Sequence, residues 1–188
     1  MKKKINLLVK NSLLSKYKTW IKNKRSFKAY QLDINLEKLL QDKNLTSHNS
    51  WVRLFDETIA SLNFPFKNKK LNSAEILNLL SDNKSSIRKL AAKSIGVTLG
   101  NNANLFATIT NTLAKDKSIN DDWRKLPNPV SSRNLSNSVE DEVVESLSRS
   151  VSNYYPKLSH RYYKMKAKWF GVKKLKYWDR NAPLPFQS

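Results

Sequence analysis

Apolar side chains recur every three or four residues along most of this chain, and only three glycines interrupt the pattern. That spacing constrains the fold more than any other feature. It collects apolar groups on one face of a helix, whereas a half-buried strand would alternate them. The clearest case runs through Trp51, Leu54, Phe55, Thr58, Ile59 and Leu62, which fall at i, i+3, i+4, i+7, i+8 and i+11. Ser47, Asn49 or Ser50 can cap this helix by accepting a bond from a free backbone N–H.

The rest of the chain reads in the same period. Leu7, Leu14 and Ile21 form one seam near the amino terminus. A short helix over Leu32 to Leu45 turns Leu36, Leu39 and Leu40 inward. Pro65 ends the Trp51 helix, because proline lacks an N–H and restricts Phe64 before it. Residues 64–71 could hold a small hairpin around Lys67-Asn68. Ser73 caps a helix over Ala74 to Leu80. Ser85 or Ser86 opens a longer one with Ile87, Leu90, Ala91 and Ile95 inward. Gly96 and Gly100 weaken its far end, the Asn101 to Asn104 run breaks it, and a helix resumes through Leu105, Ile109 and Leu113. Lys125 to Asn137, with Pro127 and Pro129, is a loop. Asn137 and Glu140 read as a capping box for a helix with Val139, Val143, Leu147 and Val151 on one side. Pro156 suits the first turn of a last helix whose inner face is Leu158, Tyr162, Met165 and Trp169. Gly171 suits its stop. The fold class is all-α, an irregular multi-helix array that could include one small β-hairpin near residues 64–71.

Composition limits the function. At 188 residues the chain can bury a core. It has no cysteine, so disulfides and thiolate metal sites are excluded, which fits a reducing, cytoplasmic location. No apolar run is long enough to span a membrane. The opening MKKKINLLVK mimics a secretory leader only briefly, since Asn6, Lys10 and Asn11 break its apolar run. The net charge is +20. Residues 1–30 carry ten Lys or Arg and no acid; residues 154–180 carry nine against the single acid Asp179. Such charge draws a chain to RNA or anionic surfaces. Here the lysines are scattered and build no recognisable nucleic-acid module, so surface filler is the preferred account.

Chemistry-bearing residues are sparse. The two histidines, His48 and His160, lie far apart, and neither has a Glu beside it. A catalytic zinc site needs several convergent ligands and one open position. Glu140, Asp141, Glu142 and Glu145 gather at a helix start, where the helix dipole stabilises carboxylates. Asp116, Asp121 and Asp122 lie in a polar turn. Ser159 and His160 are neighbours in sequence, which does not make a nucleophile and its base. Tyr154, Tyr155, Tyr162, Tyr163, Trp169, Phe170, Tyr177 and Trp178 stand among the cations of residues 154–180. They could stack bases, as single-strand binders do. The helical spacing of Tyr162 and Trp169 favours the other reading, with half the rings in a core and the cations in water.

Several segments resemble one known family. SHRYYKM (Ser159 to Met165) and KAKWFGVKKLKYWDRNAPLP (Lys166 to Pro185) are similar to the stretch leading into the catalytic domain of the oligoendopeptidase F family, zinc peptidases related to thimet oligopeptidase. NSWVRLFDETIASLNF (Asn49 to Phe64), TNTLAKDKSINDDWR (Thr110 to Arg124) and SSRNLSNSVEDEVVESL (Ser131 to Leu147) follow the family's order. The resemblance runs from about Tyr17 to Pro185. It implies an almost all-helical molecule around a deep channel, with zinc at the floor and short peptides as substrates. The catalytic H-E-x-x-H would lie beyond this stretch, and the chain is expected to be a segment cut at both ends. Residues 1–171 then form a helical, non-catalytic channel wall, and residues 172–188 a basic connector toward a catalytic domain. No residue here matches a zinc ligand or the general base. The expectation is no catalytic, cofactor-binding or metal residue, no cofactor in this chain, and zinc in full-length relatives. A separately encoded catalytic half is the expected partner, nucleic acid is disfavoured, and the tail after Gly171 is expected to be mobile beside an exposed apolar patch. The alternative is a basic helical module that binds RNA or anionic surfaces.

Overall fold

The structure, a computed structural model, describes residues 15–185. The seam through Leu7 and Leu14 lies outside them. The described elements are α1 (Lys18–Ser26), a 3-10 turn (Phe27–Tyr30), α2 (Ile34–Asn44), α3 (His48–Ser61), β1 (Phe64–Phe66), β2 (Lys69–Leu71), α4 (Ser73–Asn78), a 3-10 turn (Leu79–Ser81), α5 (Ser85–Asn101), α6 (Ala103–Arg124), α7 (Ser131–Asn137), α8 (Asp141–Tyr154), α9 (Ser159–Trp169) and a last 3-10 turn (Tyr177–Asp179). The fold is all-α with one small antiparallel hairpin, as the periodicity indicates. The chain divides into two compact units. One holds the described residues of Met1–Asn44 and Lys115–Arg149; the other holds those of Leu45–Ala114 and Ser150–Ser188.

In the first unit a guanidinium joins distant segments. Arg124, at the end of α6, donates from Nη1 to Glu37 Oε1 at 2.7 Å and from Nη2 to Glu37 Oε2 at 2.9 Å. Its Nη1 also reaches the Tyr30 carbonyl at 3.2 Å, and the Leu32 N–H donates to Glu37 Oε1. This fork holds the Glu37 carboxyl down to about 2, with the Arg124 hydrogen bond as the main cause. The expected loop Lys125–Asn137 contains α7 instead. Ser138 takes the left-handed conformation at φ 53°, and the Ser138 and Val139 N–H groups close the helix on Leu135 and Asn134. Asn134 then donates to Asp141 at 2.7 Å. Local polar bonding therefore orders a stretch whose composition reads as loop. For the same reason the next helix starts at Asp141, with the Glu140 carbonyl accepting its first bond, and Asn137 does not cap it.

In the second unit Phe64, Ile76 and Ala91 are the buried centre, with Leu62, Phe66, Leu71, Leu79, Leu80 and Ile95 packed against it. The hairpin pairs Phe64 with Leu71 and Phe66 with Lys69, and Lys67 at φ 52° begins its turn. The cap of α4 is Asn72 rather than Ser73. Asn72 accepts from the Glu75 N–H while Glu75 accepts from the Asn72 N–H, a reciprocal box. Helix α5 runs through Gly96 and Gly100, and the expected break falls at Asn102. Packing on either side of the glycines outweighs their cost of about 1 kcal/mol each.

Five expected inner faces are corrected. In α3 no residue is fully buried: Trp51, Ile59 and Leu62 are half-buried, and Leu54 and Phe55 are exposed. Phe55 instead meets Phe106 edge to face at 5.8 Å. In α5 the buried positions are Arg88, Ala91 and Thr98, and Leu90 is exposed. In α9 they are Lys166 and Ala167, while Leu158, Tyr162, Met165 and Trp169 are exposed. Both α5 and α9 bury a face rotated by about one residue, because each turns a cation inward to a polar partner. On α8, Val143, Leu147 and Val151 are exposed as well. Leu36 in α2 is half-buried, but Leu39 and Leu40 are exposed.

Candidate functional site

The most elaborate polar arrangement lies in the second unit, where residues 172–185 return over α5 and α9. Helix α9 ends in a Schellman stop: Gly171 at φ 66° donates to the Lys168 carbonyl, and Val172 donates to the Ala167 carbonyl. The chain then folds back. Lys166, 2% exposed, donates from Nζ to the carbonyls of Arg180 at 2.9 Å and Ala182 at 2.7 Å. Burial, followed by the charge of Arg88, lowers the pKa of this ammonium. Residues 177–184 are thus clamped, and Asp179 and Ala182 are buried. The expectation of a mobile tail after Gly171 does not hold.

A second clamp faces α5. Arg88, 1% exposed, donates from Nη2 to Asp179 Oδ1 at 2.6 Å. Its Nη1 donates to the carbonyls of Asp82 and Asn83 at 2.7 and 2.9 Å. Asp179 Oδ2 accepts from the Lys176 N–H at 3.0 Å, and Ser85 Oγ lies 3.4 Å from Oδ1. Trp178 Nε1 donates to that hydroxyl at 3.3 Å. Arg88 Nε has no protein partner. The sequence held a signal for this pair. Arg88 stands in register with Ala91, Ile95 and Thr98, so the inward face of α5 carries a charge. Asp179, the sole acid of residues 154–180, is its natural counter-charge.

Around these clamps opens a cleft of about 1540 Å³. Ala92, Ile95 and Gly96 line it from α5, and His160, Tyr163 and Lys164 from α9. Lys173, Lys174, Lys176, Tyr177, Trp178 and Arg180 line it from the returning segment. Lys164, Lys173, Lys174, Lys176 and Arg180 have no acidic partner among the described residues. The chemistry is that of an apolar-walled, cationic receptor.

The weighed acid and histidine candidates separate. Among the described residues no three His, Cys, Asp or Glu come together as a metal set. His48 begins α3, and His160 sits in the cleft wall; both are exposed. Asp141 is held by Asn134, and Asp121 by Lys117. The described donors therefore do not fit zinc. No described helix is long and apolar enough to cross a membrane.

Residues 2–64 match the family described as Oligopeptidase F. The fold matches the crystal structure of oligoendopeptidase-F from Enterococcus faecium with a TM-score of 0.79 at 22% identity. That match covers 97% of this chain and 37% of the other. The chain resembles oligoendopeptidase F. A Bacillus anthracis str. Ames structure assigned as an oligoendopeptidase F matches at TM-score 0.71 and 19% identity, over 97% of this chain and 34% of that one. A structure assigned as a peptidase from Chlamydophila abortus matches at 0.75 and 16%, over 92% and 30%. No curated protein matches. The chain thus spans about a third of the length of the solved structures it resembles. The family match covers the first third of the chain, and the fold likeness nearly all of it.

Proposed function

We propose that this chain is a non-catalytic, channel-wall portion of an oligoendopeptidase F-like zinc metallopeptidase. In this reading residues 1–171 form the wall and residues 172–188 the connector toward a catalytic portion, encoded in the same chain or separately. That portion would hold zinc and hydrolyse short peptides with metal-activated water. The wall would shape access and contribute no ligand, base or nucleophile. A cytoplasmic location accompanies it. The observation that carries this reading is the fold match over 97% of the chain at a TM-score of 0.79. The clamps of Lys166 and Arg88 support it, because they fix residues 176–182 in one place and so would aim a following domain.

A chimera tests it. The matched 37% of the Enterococcus faecium protein is replaced by this chain. Peptide hydrolysis and zinc content are then measured. A folded, zinc-loaded chimera that cleaves short peptides is the expected result. A chimera that retains zinc and folds, yet leaves short peptides uncleaved, refutes the channel-wall role.

A further inference from the structure

The rings of residues 154–180 are not a core. Tyr154, Tyr155, Tyr162, Tyr163, Trp169 and Tyr177 are all exposed. Tyr177 is the extreme case at 73%, with its ring edge to face on Trp178 at a centroid distance of 4.9 Å. Lys89 lies over Trp178 at 5.5 Å. This removes the reason for preferring a buried role for these rings. The cleft beside them has five unpaired cations, and its one carboxylate, Asp179, is already neutralised by Arg88. Clamping by Lys166 and Arg88 holds the segment that carries Lys176, Tyr177 and Arg180, so part of the receptor is preorganised.

We propose that this cleft binds single-stranded nucleic acid, with Lys164, Lys173, Lys174, Lys176 and Arg180 on phosphates and the exposed Tyr177 ring, braced edge to face by the half-buried Trp178, as the stacking surface. An acidic polypeptide would satisfy the cations but does not offer a planar group with every negative charge, whereas in a nucleic acid each phosphate is accompanied by a base with a π-face. A duplex buries its bases and would lose the same contacts. The net charge of +20 would speed encounter without choosing the site. The inference stands apart from the peptidase reading, since it needs no catalytic portion.

The test uses the full chain and a fluorescein-labelled oligo(U) of about eight nucleotides, within single-strand site sizes. Binding is followed by anisotropy from 50 to 200 mM salt. Three to five neutralised phosphates predict a slope of log affinity on log salt of about −2 to −3.5. The pair Lys173→Glu and Lys174→Glu should weaken binding at least tenfold and flatten that slope. The pair Lys22→Glu and Lys24→Glu on α1 changes net charge equally but touches no residue that lines the cleft, and should leave affinity within about twofold of the parent. Tyr177→Ala should lose about five- to a hundredfold with the slope unchanged, and Tyr177→Phe should retain binding. Equal loss in both charge-reversal pairs, parental affinity in Tyr177→Ala, equal displacement by charge-matched poly-glutamate, or no binding at 50 mM salt each overturns the proposal.

Discussion

Asp179→Ala should release the returning segment from α5. The substitution leaves Arg88 buried, charged and without its carboxylate. Its Nη1 retains the Asp82 and Asn83 carbonyls, but Nη2 loses its partner and Nε has no protein partner. Breaking a buried pair from one side costs about 3–5 kcal/mol, because the remaining charge is uncompensated. The Lys176 N–H and the Ser85 hydroxyl lose their acceptor as well. The assay is urea denaturation of the second unit, read with hydrogen exchange over residues 176–184. A lower midpoint and lost protection are expected. Arg88→Met combined with Asp179→Leu separates charge from packing. It should lose less than Asp179→Ala alone, since no orphan charge remains. A parental midpoint with parental protection in Asp179→Ala would refute the clamp.

Three further outcomes follow from named contacts. Glu37 has its pKa lowered to about 2 from an ordinary 4.5, so its pair with Arg124 stabilises fully above about pH 4.5 and fades as pH falls toward 2; the stability gap between the parent and Glu37→Gln should close across that window, and a gap constant with pH argues against the fork. Lys166 has a lowered pKa, so its contribution to stability should rise with pH between that lowered value and 10.5; Lys166→Met should abolish the rise and cost about 1–3 kcal/mol by leaving two carbonyls unpaired, as denaturation at pH 7 and pH 10 would read. Ile76, fully buried against Phe64 and Ala91, should cost roughly 2–5 kcal/mol as Ile76→Ala, and an unchanged melting curve would remove it from the core.

The helices with a clear apolar period were legible in the sequence, because their existence rests on period alone. So was the hairpin at residues 64–71, where Pro65 stops one helix and Lys67-Asn68 makes the turn. Inner faces were less legible. Tyr162, Met165 and Trp169 share a helical face, and so do Tyr163, Lys166, Ala167 and Phe170 one residue around. Hydrophobicity favours the first set, but the carbonyls of Arg180 and Ala182 reward burial of Lys166 and so select the second. The same competition turned Arg88 inward on α5. Neither partner is near in sequence, so no local pattern announces them. The α7 helix was missed for a different reason. Its stability comes from Ser138 in a left-handed turn and from Asn134 bonded to Asp141, which are residues that composition assigns to loops.

The distribution of acids explains why one region stays so strongly cationic. The chain has 35 Lys and Arg against 15 Asp and Glu. Among the described ion pairs, Glu37 joins α2 to the end of α6, Asp121 takes Lys117 within α6, and Asp179 fixes the returning segment to α5. Glu37 and Asp179 each close a contact between segments about ninety residues apart. Acids engaged in this way cannot screen the surface. In residues 154–180 nine Lys or Arg stand against a single carboxylate, the one that Arg88 holds. Lys164, Lys173, Lys174, Lys176 and Arg180 therefore keep their charge facing the cleft because the fold has placed the local acid inside. The contact that fixes the returning segment to α5 is thus also the one that engages the only local acid, and Asp179→Ala would remove both at once.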